Sequence, residues 1–333
     1  MRYVVRRLGF FALTLWVALT LNFFIPRFMP GNPLEALRAR THDRLSPAAL
    51  EQMLTSYGFK PHQNIFVQYL EYLRNMFTGH WGISIGATLG EPVSTIVWQA
   101  LPWTLGLVGV TTVLAFLLGS LIGVVAAWRR GGRLDSVLPP VFVVTSALPY
   151  FWVGLMLILV FSVWTHGWLP SDFNYDPDLL PEFSLGFIEN VLKHAVLPAA
   201  TILIASIGAW ILTMRNNMIT TLAEDYVRMG RAKGLSNSRI MTDYAARNAM
   251  LPNLSGFAMS LGFVITGSIL VEYVFNYPGL GYQLYNAVQN TDYPLMQALF
   301  MLFTVAVLVA VLVCDIAIAF LDPRSRERDR SGR

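Results

Sequence analysis

The sequence predicts an all-α integral membrane protein with six membrane-spanning helices and both termini on the cytosolic side. Three observations carry that prediction. The 333-residue chain is 55% hydrophobic and only 13% charged, where soluble domains average roughly 25% charged residues. A single water-facing core has no use for so much apolar surface. Six apolar segments each reach the roughly 20 residues that a bilayer crossing requires. The basic residues, finally, are shared unequally between the connecting segments.

The segments follow in order. Arg2, Arg6 and Arg7 precede the first, 8–28. It is longer than a signal-peptide core, and Pro26-Arg27-Phe28 stands where a small-residue cleavage site would be, so it reads as an uncleaved helix. The others are 101–128, 137–164, 195–214, 251–275 and 295–320. Trp103, Trp128, Trp164, Tyr273, Tyr277 and Tyr293 sit near their ends, as an interfacial belt places them. With the N-terminus inside, seventeen of the 24 lysines and arginines fall on the cytosolic side. The other seven lie outside, mostly in one long loop, where charge weighs little on orientation.

The outside segments carry patterns of their own. In the first, Ser46 followed by Pro47 predicts a helix start, with Gly58 closing that helix. A second helix is predicted over 64–77, apolar at Ile65, Phe66, Tyr69, Leu70, Leu73, Met76 and Phe77, and ended by Gly79. Its apolar face suits either the membrane or the helix bundle. The second outside loop, 165–194, is acidic at Asp172, Asp176, Asp178, Glu182 and Glu189, and it carries Trp168, Tyr175, Phe183 and Phe187. Such a loop suits docking of a soluble protein, and it is also what an ordinary solvated loop looks like. The tail 322–333 is charged and is expected to be disordered.

The most informative stretch is cytosolic: Asp225–Pro252, DYVRMGRAKGLSNSRIMTDYAARNAMLP. Asp225 is predicted to cap a helix ending at Lys233, with Gly234 in the left-handed conformation that glycine adopts cheaply. Ser236 then caps a second helix running toward Asn248. Arg228, Arg231, Lys233 and Arg239 surround the glycine. Positive charge alone would satisfy the membrane's orientation rule; two capped helices on a glycine joint go beyond it.

That stretch resembles the coupling motif of ABC importer permeases, in the variant of the dipeptide/oligopeptide/nickel group. The likeness rests on Arg231-Ala232-Lys233-Gly234-Leu235, Arg247-Asn248-Ala249 and Leu251-Pro252. Further motifs follow in the family's order: Pro30-Gly31-Asn32-Pro33, Ser146-Ala147-Leu148-Pro149-Tyr150-Phe151, the run 272–281 from Glu272 through Tyr277-Pro278-Gly279, Asp292-Tyr293-Pro294-Leu295, and Leu321-Asp322-Pro323-Arg324. Two positions depart from it. Arg228 replaces the glutamate of the sugar and amino-acid types, and His80-Trp81 replaces an aspartate-leucine pair ahead of Gly82 and Ser84.

The resemblance implies a type I ABC importer permease. Residues 1–28 form a cytosolic stub and first span, 29–99 an extracytoplasmic segment, 95–321 the permease core with its coupling segment at 222–249, and 322–333 a cytosolic tail. It implies four kinds of partner in the plasma membrane: a second homologous permease chain, two ATP-binding subunits, an extracytoplasmic substrate-binding protein, and the bilayer itself. Arg228, Arg231, Ala232, Lys233, Gly234, Leu235, Ser236 and Arg239 would engage the ATPase. Pro149, Phe151, Glu272 and Asp315 are pathway or gate candidates. Asp172, Asp176, Asp178, Tyr277, Pro278 and Asp292 are docking candidates for the binding protein. Oligopeptides or dipeptides are the expected cargo, with oligosaccharides or nickel complexes as alternatives.

No Gly-Lys dipeptide occurs, so a Walker A loop is excluded, and ATP with magnesium is expected on partner subunits rather than on this chain. A lone Cys314 excludes a cysteine metal cluster, and no histidine or carboxylate group has metal-ligand spacing. No nucleic-acid partner is expected. An ion-driven secondary transporter would carry ionisable residues deep in several spans, and only Asp315 comes near. A membrane-embedded enzyme would show a nucleophile–base pair, and none is visible.

Overall fold

A computed structural model of the chain describes residues 2–29, 35, 38, 46–56, 63–264 and 269–321. Among the described residues the regular structure is helical, apart from one antiparallel bridge pair, Ile83 with Pro92. They divide into two compact units.

The first unit comprises Met1–Thr104, Ile265–Ile269 and Pro278–Leu312. Its helices are α1 (Arg2–Phe28), α2 (Pro47–Ser56), α3 (Ile65–Thr78), α4 (Val93–Thr104), α13 (Leu280–Gln289) and the first part of α14 (Tyr293–Leu321). The cap predicted at Ser46 is in place, its Oγ accepting from the Ala49 N–H. Asn64, expected as the first residue of its helix, caps it instead, its Oδ1 accepting from the Phe66 N–H. Gly79 closes α3 at φ +76°. Gly58, expected to close α2, and the motif at 30–33 lie outside the described residues. One core joins α4 to α13 and α14 through Val93, Ile96, Val97, Leu280, Met296 and Leu299. Thr104 Oγ1 accepts from the Leu280 N–H at 2.7 Å, which satisfies one of the orphan donors opening α13. A second core sets Tyr72 and Met76 of α3 against Leu19 and Phe23 of α1.

The second unit comprises Leu105–Val264, Leu270–Tyr277 and Val313–Arg333. It holds α5 (Val110–Trp128), α6 (Arg133–Ala147), α7 (Tyr150–Ile158), α8 (Leu185–Leu222), α9 (Asp225–Ala232), α10 (Asn237–Arg239), α11 (Arg247–Val264) and α12 (Ile269–Val274), whose first residue belongs to the other unit. Three π-helical turns interrupt the α geometry: Leu105–Gly109, Leu159–Val163 and Ile240–Ala246.

The tightest pairing is α5 on α8. Gly119 and Gly123 stand one turn apart on α5, a small-xxx-small pair. A Cβ at Gly123 would lie 2.7 Å from the Ile211 carbonyl oxygen and 2.8 Å from Met214 Cβ. One at Gly119 would lie 2.6 Å from Trp210 Cβ. The two backbones therefore approach over hydrogens alone. Beside them Phe116 stacks on Phe257 of α11 at 4.1 Å and meets Trp210 of α8 edge-on. Asn253 of α11 donates to Ser120 Oγ at 2.7 Å within the same packed group. Near the α5 C-terminus, Arg215 Nε meets Asp135 Oδ1 at 2.5 Å. That bond, and the Gly131 N–H on the same carboxylate, hold the Asp135 carboxyl below its usual range.

Among the described residues, four helical runs are long and apolar enough to cross a membrane: Gly9–Phe28, Val93–Trp128, Leu185–Leu222 and Tyr293–Val313. Two of the six predicted spans are not single long helices. The span predicted over 137–164 breaks at Leu148 and Pro149, both extended, with ψ 131° and 138°. Proline disfavours helical geometry in the residue before it, so Pro149 separates α6 from α7 rather than merely kinking one helix. The span predicted over 251–275 contains α11 and α12, and residues 265–268 between them lie outside the described set. The fourth span is longer than predicted. Helix α8 runs 38 residues, starting at the Ser184 cap, so 185–194 is helix and not loop. At 1.5 Å per residue it measures about 57 Å, nearly twice the hydrocarbon thickness.

Candidate functional site

The polar segment after α8 folds as a helix–glycine–helix unit. Helix α9 is capped by Glu224 in extended conformation, not by Asp225 as the sequence suggested. Asp225 is the first helical residue, where its charge suits the N-terminal dipole, and it lies 3.5 Å from Arg228 on the surface. Gly234 sits at φ +75°, the left-handed conformation expected. The Leu235 N–H reaches back to the Gly230 carbonyl and closes the turn. Ser236 Oγ accepts from the Arg239 N–H and starts the second arm.

That second arm has no loop beyond it. Residues 237–264 run through α10, the π turn and α11 as one helical rod. Its first part is anchored: Ala245 and Ala249 pack with Val124 and Ala127 of α5 and with Met214 and Met218 of α8. The two arms are held to each other by a small interior. Val227 and Ile240 are fully buried, and Gly230 lets Tyr244 approach, a Cβ there lying 3.5 Å from the ring.

Everything else on the unit faces outward. Arg228, Arg231, Ala232, Lys233, Gly234, Ser236 and Arg239 are exposed, and Leu235 is half-buried. Gly234 has open space where a side chain would project. Among them stands Met229, 58% exposed, with Tyr226 beside the α9 start. The sequence reading passed over both. The signal was present: an apolar residue between arginines, on the face opposite buried Val227. An open cleft of about 510 Å³ lies alongside, lined by Tyr226, Asp243, Tyr244, Arg247, Asn248 and Leu251. The unit is a firm, basic, partly apolar knob tied to three helices.

The other candidates are not gathered into one site. Pro149 is exposed at the break, and Phe151, two residues on, is half-buried. Glu272 of α12 is fully buried, and its carbonyl accepts from the Tyr277 N–H at 2.8 Å. Burial, and then the Glu272 charge, push the Tyr277 phenol well above its ordinary range. Asp315 belongs to α14, and its side chain lies outside the described residues, as does most of the motif at 321–324. Of the docking candidates, Asp172 and Asp178 are exposed, while Asp176 and Pro278 are half-buried. Asp176 Oδ1 accepts from the Asp178 N–H, and Asn190 Oδ1 accepts from the Asp176 N–H, so the acidic loop is tied to α8. Tyr277 and Asp292 are 2% and 1% exposed, which leaves neither a surface to offer another protein.

Asp292 has different work. It caps α14 by accepting from the Leu295 N–H. It also accepts from Ser84 Oγ at 2.5 Å, the Gly86 N–H at 2.9 Å and the Ile85 N–H at 3.3 Å. Two motifs 208 residues apart are thereby clasped. Burial outweighs the four donors and raises the Asp292 carboxyl above its usual value. Asp292→Ala is expected to strand three buried donors at 84–86. Each unmade bond costs roughly 1–3 kcal/mol. A fall in thermal midpoint, with faster amide exchange at Ile85 and Gly86, is the measurement. Asp292→Asn, which keeps one acceptor oxygen, should fall between the variant and the parent.

These features define a class: a multi-pass helical protein of the membrane, with a rigid basic knob built onto its bundle. Residues 119–327 match the family described as binding-protein-dependent transport system inner membrane component, and the chain belongs to that family. It is 34% identical over 323 residues to the oligopeptide transport system permease protein AppB of Bacillus subtilis (strain 168), covering 97% of this chain and 98% of that one. It is 33% identical over 340 residues to the di/tripeptide transport system permease protein DppB of Pseudomonas aeruginosa (strain UCBPP-PA14), covering 98% and 99%. It is 31% identical over 326 residues to the glutathione transport system permease protein GsiC of Salmonella typhi, again covering 98% and 99%. The protein is a multi-pass component of the inner membrane.

Proposed function

We propose that this chain is the transmembrane permease subunit of an ATP-driven importer for short peptides. Peptides are delivered by an extracytoplasmic binding protein and cross between this chain and a second, homologous permease. Two ATP-binding subunits, which carry the nucleotide and its magnesium, drive the cycle. The polypeptide crosses the membrane six times, with both termini in the cytosol. Its third crossing is the broken pair α6–α7, and its fifth is α11 with α12. The full-length likeness to permeases named for oligopeptides, di- and tripeptides and glutathione supports peptides as the cargo.

The observation that carries the mechanism is the unbroken rod 237–264. The knob seats in a groove of an ATP-binding subunit, with Arg228, Arg231, Lys233 and Arg239 supplying charge complementarity. Met229, Ala232 and Leu235 supply apolar contact around Gly234. When the two ATP-binding subunits close, each knob moves with its partner. The rod has no loop in which to lose that displacement, and its anchorage on α5 and α8 carries the motion into the bundle as rigid-body coupling. Pro149, Phe151, Glu272 and Asp315 remain the pathway or gate residues on this reading. Asp172, Asp176, Asp178 and Pro278 remain contacts for the binding protein.

The test is reconstitution of the complete complex in proteoliposomes, with ATP enclosed or omitted and binding protein outside. Labelled di- and oligopeptides should accumulate only with ATP. Cello-oligosaccharides and chelated nickel, offered in parallel arms, should not. Accumulation driven by an ion gradient without ATP would refute the importer, and transport of sugar or nickel alone would refute the cargo.

A further inference from the structure

Among the described residues, one long face of helix α3 has no protein neighbour. Phe66, Leu70 and Phe77 are 75%, 65% and 64% exposed, and Ile65 and Val67 lie beside them. Their spacing of four and seven residues is a stripe along one side of a helix. The opposite side is fixed to α1 at several points. Tyr69 Oη and Thr20 Oγ1 lie 2.7 Å apart, Asn22 Nδ2 donates to Tyr72 Oη at 3.0 Å, and Arg27 Nη2 donates to Gln68 Oε1 at 3.1 Å. Phe23 packs against the rings of both tyrosines.

Those bonds set the depth of α3. The apolar run of α1, Gly9–Phe28, is 20 residues long, enough to cross the hydrocarbon once. Thr20, Asn22 and Phe23 stand eight, six and five residues inside its C-terminal end. At 1.5 Å per residue they lie about 12, 9 and 8 Å below that end. A helix bonded at those levels is not resting on the membrane surface. Trp16, Leu21, Ile25 and Phe28 of α1 are themselves largely exposed apolar side chains that a crossing helix presents to lipid. The α3 stripe extends the apolar surface of a helix already in lipid. The hydroxyls between α1 and α3 are paired, as hydrocarbon surroundings demand. Arg74, on the exposed side, has a stem long enough to carry its charge to the headgroups.

We propose that α3 is immersed in the leaflet that holds the C-terminal end of α1, with Phe66, Leu70 and Phe77 against lipid acyl chains. On the topology proposed above this is the outer leaflet; immersion itself holds for either leaflet and does not depend on the transport reading. The partner is the bilayer, because the depth is fixed by a helix that crosses it.

The experiment places single nitroxide labels in the full chain, within its assembled complex in proteoliposomes, on a Cys314→Ser background. Labels go at Phe66→Cys, Leu70→Cys and Phe77→Cys, with Leu21→Cys as the lipid reference and the exposed Glu182→Cys as the aqueous one. Molecular oxygen concentrates in hydrocarbon, and a neutral nickel chelate concentrates in water. Collision with oxygen should exceed collision with the chelate severalfold at 66, 70 and 77, matching position 21. A chelate-dominated profile matching position 182 would overturn the proposal by placing the face in water. Exclusion of both reagents would overturn it by placing another protein on the face. Each labelled side chain is exposed, so none removes a buried contact, and peptide uptake by each variant reports its folding separately.

Discussion

Gly234→Trp is expected to lower ATP-driven uptake at least tenfold while the chain still inserts, folds and assembles with its second permease. Two properties of the position make it a clean probe. Its φ of +75° charges any side chain the left-handed penalty, roughly 1–2 kcal/mol. Yet nothing lies within 4 Å of the point where a Cβ would sit, so a side chain there leaves the backbone into open space. Gly234→Ala therefore measures the conformational cost alone, and its uptake should fall far less. The excess loss in the tryptophan variant reports a surface that must come close to the glycine. The decisive quantities are uptake and ATP turnover in the same vesicles. Turnover that persists as uptake fails is uncoupling. Tryptophan and alanine variants with equal uptake would show that nothing docks there.

Gly123→Leu should be the most damaging single change in the second unit. A Cβ alone would stand 2.7 Å from the Ile211 carbonyl and 2.8 Å from Met214 Cβ, both fixed parts of α8. Overpacking typically costs 1–3 kcal/mol when side chains can give way. Here the obstacle includes backbone, so α5 and α8 must separate and the loss should be about 3 kcal/mol or more. The expected result is loss of the monodisperse species in detergent and a collapse of thermal midpoint. Gly186→Ala provides the control, because no atom lies within 4 Å of that Cβ position, and it should be neutral. Comparable damage from both changes would mean that glycine content, not close approach, sustains the bundle.

The features legible in the sequence were local ones. Caps at Ser46 and Ser236, the helix stop at Gly79 and the left-handed Gly234 depend on chemistry within four residues, and they stand where the sequence placed them. Apolar length located the cores of the long helices but not their ends. Helix α8 continues past its apolar stretch through weak helix formers such as Asn216, Asn217, Thr220 and Thr221, a turn held by the packing of Met218, Ile219 and Leu222. Pairing at a distance was not legible. Asp292 has the composition of an exposed loop residue, and only the approach of Ser84, Ile85 and Gly86 turns it into a buried clasp. Tyr277 disappears from the surface in the same way. The α5–α8 contact was written plainly as Gly119-Ser120-Leu121-Ile122-Gly123. Attention to hydrophobic length alone overlooked it, and a search for small residues four apart would have found it.

The π turn at Ile240–Ala246 makes the knob's heading a matter of residue arithmetic. In an α-helix each residue advances the azimuth by about 100° and the axis by about 1.5 Å. A wide π turn takes in one extra residue, so a chain one residue shorter in this stretch would regain ordinary α geometry with its two flanks still in phase. The same deletion in the α-helical turn that follows, 247–252, would swing α9 by about 100° and present a different flank of it.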